Sequence, residues 1–199
     1  MARRLLSVLL AIVVAVIVVG FLLPRDVLVQ RSVVIDTSPE IAFEVLNDLA
    51  YFNEWSPWHA RHTEAEYRLE GPTSGEAAAL AWSDRQGRET GRIWITESLP
   101  ADRIELNMEL GESGSGQFFR TQPADGGVEV TWGMRMRFDA LDLTGRYIGL
   151  MLPSLVGGDL RRGLDRLKDY LESHPGAMPP RPEESDTGFP RDFNRGVND

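Results

Sequence analysis

The chain has 199 residues, 42% of them hydrophobic, and a net charge of -9. That is room for one ordinary domain plus extensions. Lys168 is the only lysine and no basic stripe exists, which argues against binding nucleic acid or adhering electrostatically to anionic lipid; with no cysteine, disulfides, thiolate catalysis and Cys-based metal sites are excluded.

The first element is LLSVLLAIVVAVIVVGFLL, an uncharged run from Leu5 to Leu23. As a helix it spans roughly 28 Å, close to the ~30 Å hydrocarbon thickness of a bilayer. Arg3 and Arg4 precede it, and Arg25 beside Asp26 follows. This asymmetry predicts a single-pass anchor with its N-terminus inside and the rest of the chain outside the cytoplasmic membrane. A cleaved signal peptide is the rival reading. The run is longer than the usual apolar core of such peptides, and Val18-Val19-Gly20-Phe21 is a poor cleavage site.

A weak strand pattern covers 27–36. Ser38-Pro39-Glu40 then reads as a helix start, with an N-cap candidate, Pro at the first helical position and an early acid. Ile41, Ala42, Val45, Leu46 and Leu49 form its apolar stripe. The stretch FNEWSPW at 52–58 follows, with Phe52, Trp55 and Trp58 in seven positions. Pro57 stops any helix there and pushes Ser56 towards extended backbone. The segment is expected to be a corner that pins both tryptophans against the end of a sheet.

Clear period-2 alternation marks strands at 65–70, 104–110 and 128–138. In the last, Val128, Val130, Trp132, Met134, Met136 and Phe138 share one face. Weaker strands are predicted at 77–83, 90–98 and 115–122. EGPTSGE, DRQGRE, LPADR, GESGSG and PADGG separate the strands with turns. Such short links predict an antiparallel meander. Trp94 must face away from Ile93 and Ile95. A second helix is predicted from about Gly145 to Ser173, with Leu160, Leu164, Leu167 and Leu171 on one face. From 174 to 199 the chain is Pro-rich and poor in large apolar groups, and is expected to be disordered. The segment 27–173 holds 24 acidic and 15 basic side chains, and so carries the whole -9.

One amphipathic sheet and one long amphipathic helix must cover each other, which makes an α+β domain over 27–173. This order resembles the START-like (SRPBCC) superfamily, in its polyketide cyclase/dehydrase and lipid-transport branch. The resemblance is carried by Pro39-Glu40, Phe43, Leu46, Asp48, the aromatic-Ser-Pro-Trp element, Gly71, Gly75, Trp82, Glu97 with Pro100, Thr131-Trp132, Gly163-Leu164 and Leu167-Lys168. It implies a helix-grip fold, with a curved antiparallel sheet of about seven strands around the C-terminal helix and a hydrophobic cavity between them. Members carry lipids, sterols or polyketides, and a minority catalyse cyclisation or dehydration.

Candidate cavity residues are Trp55, Trp58, Trp82, Trp94, Phe118, Trp132, Met134, Met136, Tyr147 and Met151, because aromatics and methionines suit irregular apolar ligands. Their bland alternative is simple core filling. His59 and Glu64 are the weak acid-base candidates, since they follow the aromatic cluster. His59 and His62 lack the i, i+4 spacing and third ligand of a zinc site, so no metal and no cofactor is expected. The leading expectation is a tethered domain that binds a hydrophobic small molecule or lipid. A cyclase, dehydratase or hydrolase for a hydrophobic substrate is the first alternative. An envelope scaffold or stress protein that binds partners through its tail is the second.

Overall fold

A computed structural model describes residues 2–59, 65–111 and 113–182. It begins with the apolar helix α1 (Ala2–Leu22), then β1 (Asp26–Ile35) and α2 (Pro39–Asn47). Ser38 caps α2 as expected, its Oγ accepting from the Ile41 amide at 3.2 Å. A 3-10 turn (Leu49–Tyr51) and one turn of helix, α3 (Phe52–Trp55), complete the corner.

Six further strands follow: β2 (Glu66–Glu70), β3 (Ala79–Ser83), β4 (Glu89–Leu99), β5 (Arg103–Leu110), β6 (Ser113–Ala124) and β7 (Gly127–Arg137). They form one antiparallel sheet in the order β1-β7-β6-β5-β4-β3-β2. Every neighbour but β1–β7 is also a neighbour in sequence, so short turns fix the register. Irregularities in β4, at Ile95/Glu97, and in the β3–β4 pairing, at Trp82/Ser83, add the local twist that a curling sheet needs.

The helical run predicted from Gly145 to Ser173 is three helices: α4 (Leu143–Gly149), α5 (Leu152–Leu155) and α6 (Gly157–Glu172). Pro153 sits in the first turn of α5, where its missing N–H costs nothing, but it cannot continue a helix arriving from α4. Leu160, Leu164, Leu167 and Leu171 of α6 are all essentially inaccessible. They meet the inward face of the sheet, where Val29, Ile35, Val128, Val130, Ile104, Leu106, Ile93 and Ile95 are buried. This is the helix grip.

Both ends of the domain are tied down. At the N-terminal side, Leu23 still donates to Val19 O at 3.1 Å, while Arg25 O already accepts from the Phe138 amide at 2.9 Å. Helix and sheet are thus joined through Pro24. At the C-terminal side, the expected loss of order at 174 falls within a segment that returns to the domain. The Tyr51 hydroxyl donates to Pro179 O at 3.0 Å, and the Arg181 guanidinium meets the Asp48 carboxylate at 2.6 Å. Asp48 also caps the 3-10 turn through the Ala50 amide. Residues 183–199 lie outside the described residues.

The grip closes on Gly163. A Cβ there would stand 2.4 Å from the Trp132 ring and 3.1 Å from Pro57. Gly163→Ala is expected to destabilise the fold by about 1–3 kcal/mol through overpacking. Gly158→Ala, whose Cβ would meet only the end of Arg162 at 3.5 Å, is expected to be neutral or stabilising. Denaturant midpoints of the two variants at unchanged slope check this.

Candidate functional site: an aromatic plug and a cleft beside the apolar helix

The FNEWSPW corner is packed, not open. Trp55 is fully buried and meets Phe52, Phe119 and Trp132 edge to face, at 5.1, 5.7 and 5.5 Å between centroids. Trp58, half-buried, stacks on Phe52 at 6.2 Å and sets its ring perpendicular to Trp132 at 5.2 Å. Ser56 is extended (φ -61, ψ 130), as a residue before Pro should be. Its hydroxyl accepts from the Trp58 amide at 3.2 Å, and its carbonyl accepts from Arg166 of α6 at 3.3 Å. The corner therefore fills the space between sheet and α6 at this end.

Trp132 carries one polar atom into that plug. Its Nε1 donates to Gln117 Oε1 at 2.9 Å, and Gln117 Nε2 reaches Met108 Sδ at 3.1 Å. Gln117 is completely buried. Burying an amide is tolerable only because both of its ends are bonded. Met134, also buried, lies on the same face opposite Val29 and Gln117.

Met108 links the plug to an open space. A cleft of about 670 Å³ lies at the end of the sheet where β1 leaves the apolar helix. Val27, Met108, Ser115 and Met136 line it from the inward side, and Trp94, Asn107 and Arg135 from the outward side. The start of β6 makes the room: Gly114, Ser115 and Gly116 carry almost no side-chain volume. Asp26, Glu109 and Arg137 put both signs of charge on the lining, and Asp26 lies 3.6 Å from Arg137. The volume falls within the range of small-molecule sites.

Of the ten cavity candidates, Trp94 and Met136 reach this cleft. Trp94 does so from the outward face, under Arg92 at 5.6 Å, while Ile93 and Ile95 point inward. Trp55, Trp58, Trp132 and Met134 belong to the packed interior beside it. Trp82 is buried against Tyr67 (6.2 Å) in the space Gly91 leaves open. Phe118 is on the opposite face from the grip. It fills the gap over Gly133 and is covered by the guanidinium groups of Arg120 (5.3 Å) and Arg135 (4.7 Å). Its burial comes from those neighbours; Phe119, one residue on, is the inward ring. Tyr147 and Met151 lie on α4 and at the start of α5, outside the grip: Tyr147 turns to α1, and Met151 is exposed. Val27, Met108 and Ser115 were not among the candidates. Small residues at the start of a strand are the only sequence signal for this gap, and they read equally well as a turn.

His59 is half-buried against Tyr67, with ring centroids 4.9 Å apart, and its Nδ1 is buried without a partner among the described residues. It is not part of the cleft lining. Burial lowers its pKa, and the nearby Arg166 cation lowers it further. Burial likewise raises the Tyr67 hydroxyl to about 12. Glu64 and His62 lie outside the described residues.

A curved antiparallel sheet gripping a C-terminal helix, with a cleft at one end, defines a helix-grip domain. The chain belongs to the polyketide cyclase / dehydrase and lipid transport family, whose model matches residues 26–172. No curated protein matches it. Among solved structures it is similar to the protein of unknown function SA2116 from Staphylococcus aureus, at 12% identity over 74% of this chain and 94% of that one, with a TM-score of 0.57. It is similar to the di-domain ARO/CYC StfQ from the steffimycin biosynthetic pathway, at 14% identity over 75% of this chain and 51% of that one, with a TM-score of 0.55. It is also similar to the KanY protein, at 14% identity over 74% and 98%, with a TM-score of 0.53. At these identities the likeness is one of fold.

The His59 environment has a pH consequence. Its folded pKa lies below the ordinary 6.5, so the unfolded chain takes up the proton more readily. Stability is therefore full above pH 6.5 and is lost as pH falls below it. The melting temperature of the full chain is expected to drop between pH 7 and 5, and His59→Gln to flatten that drop.

Proposed function

We propose that the protein is a membrane-tethered domain that takes up a hydrophobic, lipid-like small molecule at the cleft between Val27, Met108 and Met136. The observation that carries this reading is the position of the cleft: its lining begins at Asp26, three residues after the apolar run ends. An apolar molecule leaving the bilayer beside α1 meets Val27 and Leu28 without crossing much water, and a tether raises its effective concentration at the mouth. Trp94 and the two methionines supply adaptable apolar contact. Asn107, Arg135 and Glu109 supply the few polar groups that would orient a headgroup or ring substituent. Arg3 and Arg4 before the uncharged run, against Arg25 beside Asp26 after it, support an N-terminus inside and a domain outside the cytoplasmic membrane.

An enzyme acting on a hydrophobic substrate, of cyclase, dehydratase or hydrolase type, is the second reading. It is favoured by one observation, the unpartnered buried Nδ1 of His59. A histidine kept neutral at pH 7 suits a general base. Its place outside the cleft lining weighs against it, and the binding reading leads.

Native mass spectrometry of the full chain, released from its own membranes, tests the leading reading. The expected result is an intact chain that retains residues 1–25 and carries a co-purifying lipid. Ser115→Trp is expected to fill the cleft and remove the bound mass while the melting transition stays cooperative. An unloaded wild-type chain that also fails to bind fluorescent fatty-acid and sterol analogues would sink the proposal.

A further inference from the structure

The segment between β7 and α6 makes a second apolar surface, separate from the cleft. From Leu143 to Gly158 the only charged residue is Arg146. Arg146 is buried and turned onto the end of α1, where its Nη1 donates to the carbonyls of Gly20, Phe21 and Leu23 at 3.3, 3.1 and 3.4 Å. Its Nη2 donates to Ala140 O at 2.6 Å. These are carbonyls that the end of a helix leaves without intrahelical partners, and a cation there also complements the helix dipole. Tyr147 packs in the notch of Gly20, where an added Cβ would stand 3.1 Å from its ring, and its hydroxyl donates to Val16 O at 2.6 Å. One side of α4 is thus fastened to α1.

The other side is covered by nothing among the described residues. Ile148, Leu150, Met151 and Leu155 are exposed, from 50% for Ile148 to 60% for Met151. From Ile148 to Leu155 these side chains stand in a stretch with no charge at all, which a soluble surface rarely presents. The contact with Val16 sets the level of this surface. Val16 lies seven residues before Leu23, about 10 Å down the helix axis at ~1.5 Å per residue. If α1 spans a bilayer, the Tyr147 hydroxyl lies within the apolar thickness, and α4 and α5 stand at the boundary between headgroups and acyl chains. Helices that lie in that boundary bury their apolar face by about 5–10 Å.

We infer that α4 and α5 form a second membrane contact, with Ile148, Met151 and Leu155 seated among the lipid acyl chains of the leaflet where α1 ends. The single cation of the segment is spent on carbonyls of α1, so no charge has to enter the lipid. Gly149 packs against Val27, its added Cβ falling 3.1 Å from the Val27 methyl. The contact therefore presses the cleft end of the sheet towards the bilayer. The inference rests on the tethered reading of α1 and adds to it a surface that α1 alone does not require.

The absence of native cysteine makes the test direct. Single variants Ile148→Cys, Met151→Cys and Leu155→Cys of the full chain are labelled with an environment-sensitive fluorophore and reconstituted in phosphatidylcholine–phosphatidylglycerol vesicles. Val14→Cys on α1 and Gln86→Cys on the β3–β4 turn serve as the inside and outside references. With acyl-chain-brominated lipid, the labels at 14, 148, 151 and 155 are expected to lose most of their emission and the label at 86 none. Quenching at 14 without quenching at 148, 151 and 155 overturns this inference and leaves the tether standing. No quenching at 14 or at these three positions overturns the tether and the inference together.

Discussion

Everything in this domain is arranged around the burial of one indole. Trp132 sits at the centre of β7, fully inaccessible, with Trp55, Trp58 and Phe119 set around its ring and α6 across its face. A side chain that large leaves no room for a Cβ on the helix above it, which is why Gly163 occurs where an interior helix position would otherwise favour alanine. Its one N–H must be bonded in a dry interior, so a glutamine is drawn into the core, and that glutamine in turn positions Met108 at the edge of the cleft. The chain of dependence runs from a packing requirement to a hydrogen bond to the wall of the cleft.

Much of this was legible in the sequence because it follows from periodicity. The alternation from Val128 to Phe138 requires one buried face, and the structure buries Val128, Val130, Trp132 and Met134 on it. The leucines at 160, 164, 167 and 171 had to share a helix face. The residues that escaped are those whose position depends on a neighbour's shape. Phe118 and Phe119 are equally apolar, and only the register against Gly133 and Trp132 decides which of them faces the grip. Gln117 reads as a surface residue until its two partners are in place. The cleft is harder still, since it is formed by side chains that are missing at 114 and 116, and an absence has no motif. The break at Pro153 was written in the sequence, but an apolar, nearly uncharged stretch from Gly145 onward masked it as one long helix.

The two ends of the domain therefore have different characters. Around Trp132 the space between sheet and helix is filled with interlocking rings, an arrangement that resists change of any kind. Around Met136 the end of the sheet is lined by thioethers, short side chains and a guanidinium or two, an arrangement that tolerates many shapes. The fold thus places its rigid half away from the apolar helix and its more open half beside it.

The joint at Pro24 gives the molecule a mechanical property. Leu23 is still bonded to its helix and Arg25 is already bonded to the sheet, so a single proline, itself fixed in φ, is all that separates them. Arg146 then braces the same corner from the side. Helix and sheet must turn as one piece, like a key and its bit. A domain mounted in this way has neither reach nor swing: it works at one height and in one orientation relative to α1.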